Sequence, residues 1–146
     1  MFVRGLLVAS MAASLAVVPS PVAGAGCEDV QVEVYDLKIR PARHVYDLGD
    51  TARVAVRVTR TDTGDPAENV DVGLGGSTDR DRWVFDRAVT DERGRARLAL
   101  ELQRKHVPPG WMTLSAYGWK RTVDTTCVAV TEYGYKQRRK AFRVRG

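Results

Sequence analysis

Residues 90–102 read TDERGRARLALEL, and the stretch changes character halfway. A polar burst, Thr90-Asp91-Glu92-Arg93-Gly94, gives way to strict alternation. Ala96, Leu98, Leu100 and Leu102 share one parity; Arg95, Arg97 and Glu101 share the other. Successive side chains of a strand point to opposite faces, so the spacing predicts a turn followed by a strand with one apolar face. Such a face needs a second layer to bury it. The leucines are therefore read as packing side chains between two sheets, with the arginines on the outer side of one of them.

Alternation with a period of two continues along most of the chain. Val30, Val32 and Val34 alternate with Gln31 and Glu33; then the phase slips, and Tyr35, Leu37 and Ile39 carry the apolar side. A slip of one residue moves side chains to the opposite face, which predicts a bulge or a change of sheet near residues 34–36. Pro41 ends that strand. Tyr46-Asp47-Leu48-Gly49-Asp50 reads as a turn, followed by Ala52, Val54, Val56 and Val58 facing one way. Thr61-Asp62-Thr63-Gly64-Asp65-Pro66 is turn chemistry again. Val70, Val72 and Leu74 form the next strand, which Gly75-Gly76 is expected to close. Trp83 to Val89 reads as a strand of mixed phase. After Pro108-Pro109-Gly110 comes a strand from Trp111 to Trp119, with Met112, Leu114 and Ala116 on one parity. Short strands punctuated by Gly, Pro and Asp predict an all-β sandwich.

The beginning of the chain has another character. A short cationic start, Met1 to Arg4, precedes an uncharged apolar run from Gly5 to Val18 and the small residues Ala23-Gly24-Ala25. This predicts a signal peptide over residues 1–25, cleaved after Ala25, and a single exported domain over 26–146. The apolar run is shorter than the roughly 20 residues that cross a bilayer as a helix, and no second run follows, so no transmembrane segment is expected. Cys27, placed after small residues, also permits a lipid-anchored reading, although Gly24 stands where an aliphatic residue is usual. The only other cysteine is Cys127. Two cysteines in an exported protein favour a Cys27–Cys127 disulfide.

The order Tyr46-x-x-Gly49-Asp50, Val54-x-Val56-x-Val58, Gly64-x-Pro66-x-x-x-Val70-x-Val72, Thr90-Asp91-x-x-Gly94-x-Ala96-x-Leu98 and Pro109-Gly110-Trp111-x-x-Leu114-x-Ala116 resembles bacterial immunoglobulin-like domains. The likeness is to the invasin and intimin type and equally to the second domain of macroglobulin-like proteins. It covers about residues 45 to 118 and rests on turn residues and alternation. It implies an immunoglobulin-like, seven-stranded antiparallel β-sandwich with an extracellular role in adhesion, spacing or envelope interaction, and no catalytic residue. It also implies that residues 51–60 pair with 95–102, which would gather Arg53, Arg57, Arg95 and Arg97 on one outer face.

That face has two readings. In the plainer one it is a solvated surface balanced by neighbours such as Glu33 and Glu101; in the other it is a guanidinium patch for an acidic envelope polymer. Further charge collects at the end of the chain: residues 136–145, KQRRKAFRVR, hold six basic side chains and no acid, leaving 16 basic against 18 acidic residues between 26 and 135. Phe142 and Val144 alternate with Arg143 and Arg145, so this segment reads as a closing edge strand guarded by charge. The alternative is an edge that binds polymer through Lys136, Arg138 and Arg139. Nucleic acid is not the expected partner. Trp111, Tyr117 and Trp119 share a parity, with Tyr133 and Tyr135 downstream. They are read as packing aromatics or, if exposed and coplanar, as a stacking platform for sugar rings.

No chemistry of catalysis stands out. His44 and His106 are each alone in a loop, Ser77 and Ser115 lie outside any nucleophile motif, and Asp79-Arg80-Asp81 lacks the spacing of a calcium loop. No metal and no cofactor is expected. The sequence thus points to a secreted, non-catalytic binding or structural module. Its expected partner is an envelope polysaccharide or a surface protein, and its oligomeric state is left open.

Overall fold

The computed structural model describes residues 28–146. The signal peptide read over 1–25 and Cys27 lie outside the described residues. Among those described, nine strands and no helix form: β1 (Glu28–Glu33), β2 (Tyr35–Pro41), β3 (Val45–Asp47), β4 (Thr51–Arg60), β5 (Asp71–Ser77), β6 (Val84–Val89), β7 (Arg95–Glu101), β8 (Gly110–Val123) and β9 (Val128–Arg145). They make two sheets. One has the order β1-β9-β8-β5-β6, with β3 also on β9; the other is β2-β4-β7. The all-β sandwich is as expected from the alternation, but there are nine strands where seven were predicted. Nor is the pairing uniformly antiparallel, since β1 and β3 both run parallel to β9.

The inward parities named from the sequence are buried on β2, β4, β5, β7 and β8, but not on β1, where Val30 and Val32 are exposed. Ala52, Val54, Val56 and Val58 of β4, Ala96, Leu98 and Leu100 of β7, Val72 and Leu74 of β5, and Met112, Leu114 and Ala116 of β8 form one continuous core. Leu98, Leu100 and Leu102 of the opening stretch are all buried, a gain of roughly 1.5–3 kcal/mol apiece relative to exposure. The polar burst before them is a turn in which Asp91 Oδ1 accepts from Arg93 N at 2.9 Å and Arg95 N at 3.0 Å. Gly94 takes φ 72, a conformation that favours glycine. The turn carries the chain from β6 in one sheet to β7 in the other.

The phase slip at residues 34–36 is a change of sheet. Val34 donates its N–H to Tyr133 O of the first sheet at 3.0 Å, while its carbonyl accepts from Thr61 N, just past β4 of the second, at 2.9 Å. One residue thereby stitches both layers. Next to it, Gly118 of β8 and Gly134 of β9 are register partners, and the bare backbone they leave is where Leu37 of β2 seats. Arg60 closes the same rim, with Nη1 2.7 Å from Glu132 and Nε 3.1 Å from Asp62. The guanidinium holds the Asp62 carboxyl below the usual carboxylate range, and the two acids hold Arg60 above its own. Tyr35 beneath them has its phenol pushed up, first by burial and then by the Glu132 charge.

Three local expectations are corrected. Gly75-Gly76 does not close β5, which continues to Ser77. Gly76 faces the interior, where a Cβ would meet Met112 Sδ at 2.9 Å and Leu100 Cδ1 at 3.0 Å, so this is a close approach of layers and not a turn. Tyr46 and Asp47 lie in β3, with Tyr46 buried edge-on against Phe142 at a centroid distance of 4.8 Å; the turn begins only at Leu48. The C-terminal segment is not a closing edge, because residues 143–145 are flanked by β3 and β8. Its open part is earlier: β1 pairs with β9 only to Tyr133 and β3 only from Arg143. The basic residues 136–140 fall in that window.

Candidate functional site

The three-stranded sheet determines the first candidate surface. Its inward parity is aliphatic, so the intervening side chains of β2, β4 and β7 must point outward. Arg53 and Arg57 of β4 and Arg95 and Arg97 of β7 are all exposed on that face, and β4 pairs antiparallel with β7. Register places Arg57 directly opposite Arg95 on one side and Lys38 on the other. The next row reads Arg40, Ala55, Arg97. Lys38 and Arg40 were absent from the sequence reading, although their signal is present: once the chain changes sheet at Val34, the gaps between Leu37, Ile39 and Pro41 must face outward beside β4.

The neighbours expected to balance this charge do not do so. Glu33 is on β1, paired with Tyr133 in the other sheet. Glu101 sits at the far end of β7, opposite Thr51, and accepts from Gln103 Nε2 at 3.0 Å. Asp36 marks the other end, opposite Thr59. Among the described residues, ion pairs form at Arg60, Arg82, Arg87, Arg121 and Arg145, and none involves the six cations of this face. Like charges directly opposite across strands are destabilising. Two unit charges about 6 Å apart repel by about 0.7 kcal/mol in a water-like dielectric, less with salt. Ala55, the small residue in the middle, leaves a depression of about 200 Å³ lined by Lys38, Arg40, Arg57 and Arg95.

The basic window of β9 lies beside this face. The pairing of β8 with β9 is irregular between Met112 and Leu114: Met112 pairs with Phe142 and Leu114 with Arg138, so residues 139–141 bulge, with Lys140 at φ 50. Arg138 Nη1 donates to Ile39 O of β2 at 2.6 Å. A second depression, about 380 Å³, runs between β2 and β9 and is lined by Asp36, Lys38, Arg40, Lys136 and Arg138. Arg139 points elsewhere, to a depression with Thr78, Asp79 and Trp83.

The aromatic residues occupy the outer face of the other sheet. Tyr117 stacks on Trp119 at 5.4 Å with 25° between planes, and on Tyr133 at 6.0 Å and 28°. The Arg87 guanidinium covers Trp119 from 4.8 Å and is itself held by Asp71 at 3.0 Å. The planes are thus near-parallel, but the rings are offset-stacked against one another, the geometry aromatic pairs prefer. Each ring gives a face to a neighbour, while Tyr117 keeps 38 % of its surface exposed and Tyr135, its register partner, 54 %. Trp111 is half exposed but lies six residues from Tyr117 along β8, about 20 Å away, and does not join the stack. Phe85, 75 % exposed, and Trp83 form a separate pair at the β6 edge.

Cys127 lies in the turn between β8 and β9 at φ 66, where Asp124 Oδ1 accepts from Thr126 N, Thr126 Oγ1 and Val128 N. These bonds hold the Asp124 carboxyl below the usual range. Glu28 is the register partner of Val128, the residue after Cys127. Among the described residues no three His, Cys, Asp or Glu side chains gather as a metal site, and no helix is long and apolar enough to cross a membrane. Comparison with the models of known protein families and with curated proteins finds no match to the chain.

Proposed function

We propose that the chain is an exported, non-catalytic, immunoglobulin-like module that binds a component of the bacterial envelope or its surroundings. The observation that carries the reading is the placement of its distinctive chemistry. A filled two-layer core leaves shallow, open depressions, and the unneutralised charge lies on an outer sheet face. That is the layout of a surface that meets a partner.

The strand plan supports the immunoglobulin-like assignment. With β1 and the short β3 set aside, three strands, β2-β4-β7, pack over four, β9-β8-β5-β6. The constant-type plan has four over three. Here β6 pairs with β5 instead of β7, and a hydrogen bond from Ala99 N to Asp86 Oδ2 at 2.7 Å keeps β6 beside β7. A Cys27–Cys127 disulfide fits the parallel register in which Glu28 meets Val128. An extracellular destination fits both the leader and the bond.

The test is capture by the processed protein, residues 26–146, from culture supernatant and from envelope fractions of an exporting bacterium. Retention on the envelope fraction is the expected result. Uniform failure to be retained, or a secreted product whose N-terminus is not Gly26, goes against the reading.

A further inference from the structure

We infer that the outer face of β2-β4-β7, continued round the open edge of β2 onto the bulged segment of β9, is a single cationic track that binds an acidic polysaccharide. The inference rests on the reading of the chain as a binding module and names the ligand class and its residues. Continuity is geometric: Lys38 and Arg40 line both the depression on the sheet face and the groove between β2 and β9. Arg138, fixed on Ile39 O, and Lys136 extend the charge beyond the sheet, while Arg57 and Arg95 carry it across. Asp36 in the groove faces this path, Asp86 borders it at Ala99 of β7, and Glu101 lies at its far end.

The chemistry of the face selects among polyanions. Its outward positions on the three strands carry no aromatic ring on which bases would stack, the feature that single-stranded nucleic-acid sites combine with charge. They also carry no large apolar side chain to form the dry centre of a protein interface. What remains is guanidinium and ammonium groups at strand spacing, about 4.8 Å across the sheet, with alanines between them. Guanidinium matches carboxylate and sulfate oxygens in bidentate fashion. An extended chain of sugars bearing such groups is the occupant this surface fits.

The experiment is binding of the exported protein to immobilised polygalacturonate and heparin at about 0.05 and 0.15 M salt. Wild type is expected to bind both, more weakly at higher salt. The Arg57→Glu/Arg95→Glu double variant is expected to lose at least about tenfold in affinity without a lower melting temperature. Arg104→Glu/Lys105→Glu, a charge reversal in the loop after β7, is expected to change affinity less than about twofold. If the double variant melts lower, Lys38→Glu at the sheet edge carries the same comparison. Absence of wild-type binding at the lower salt, or undiminished binding by the reversed variants, overturns the track. Tighter binding to a single-stranded oligonucleotide or to anionic lipid vesicles overturns the polysaccharide assignment. Envelope retention that survives in Arg57→Glu/Arg95→Glu sinks the track alone. Polysaccharide binding without envelope retention sinks the envelope reading alone.

Discussion

Gly134 of β9 lies directly against the Tyr35 carbonyl of β2. A Cβ at Gly134 would overlap that oxygen and meet Leu37 Cδ1 at 2.7 Å, whereas one at its partner Gly118 would have ordinary clearance, 3.4 Å from Val70 Cγ1. The obstacle at Gly134 is backbone at the crossing between sheets, which cannot swing aside as a side-chain tip does. Gly134→Ala is therefore expected to destabilise the protein by about 1–3 kcal/mol, and Gly118→Ala by less than about 1 kcal/mol, in urea denaturation. The opposite ranking would mean that the crossing does not constrain the fold.

Leu100 is fully buried between the layers, while Arg97, three residues earlier, is exposed. Leu100→Ala leaves a cavity and is expected to lower stability by about 2–5 kcal/mol. Arg97→Ala is expected to stay within about 0.5 kcal/mol. Calorimetry of the two variants checks the assignment of faces.

The row Lys38, Arg57, Arg95 sets three cations side by side. Arg57→Glu turns two repulsive contacts into attractive ones, so the variant is expected to gain about 0.2–1 kcal/mol of stability at low salt. Added salt is expected to erase the gain. A destabilised Arg57→Glu would show that the row is not under electrostatic strain.

Asp91 organises the turn that opens β7, and hydrogen bonds from Arg95 N and Arg93 N hold its carboxyl below the ordinary range. Because the folded value is depressed, its contribution is complete above the unfolded carboxylate pKa and disappears as pH falls through the folded one. Asp91→Ala is thus expected to melt below wild type at neutral pH, with the difference shrinking as pH falls below the unfolded aspartate pKa of about 3.9. A melting difference independent of pH would assign the effect to backbone preference instead.

If Cys27 and Cys127 are bonded, the oxidised protein weighs two hydrogens less than its reduced form. Cys127→Ser then lowers stability by about 2–5 kcal/mol. Intact mass before and after reductant, with denaturation of the variant, decides this.

How much was legible in the sequence follows from the range of the forces involved. Alternation is local, so Val54, Val56, Leu98, Leu100 and Leu114 could be assigned to the interior from their spacing, and all are buried. The phase slip at residues 34–36 was readable for the same reason, but choosing a change of sheet over a bulge took the long-range bonds of Val34 to Tyr133 and Thr61. Gly76 was misread because a glycine in a strand looks like a stop, and only the distant Leu100 and Met112 reveal it as a close approach. Lys38 and Arg40 were missed because joining β2 to the arginine face depends on long-range register with Arg57 and Ala55. Stacking of Tyr117 on Trp119 and Tyr133 likewise depends on which strand lies beside β8. Parity puts Tyr117 and Trp119 on one face but does not say that Tyr133 joins them.

The parallel pairing of β1 and β3 with β9 has a mechanical consequence. A Cys27–Cys127 bond would pass a load straight to β9. With both cysteines reduced, tension applied at Glu28 and Arg145 runs along the strand axes, so the β1–β9 ladder from Glu28↔Val128 to Glu33↔Tyr133 is loaded in shear. All its bonds must then yield together, where a hairpin pulled from its open end unzips one rung at a time. A chain held at one end and tugged at the other would resist extension through this pair, and single-molecule pulling from the two termini under reducing conditions should register one high-force event.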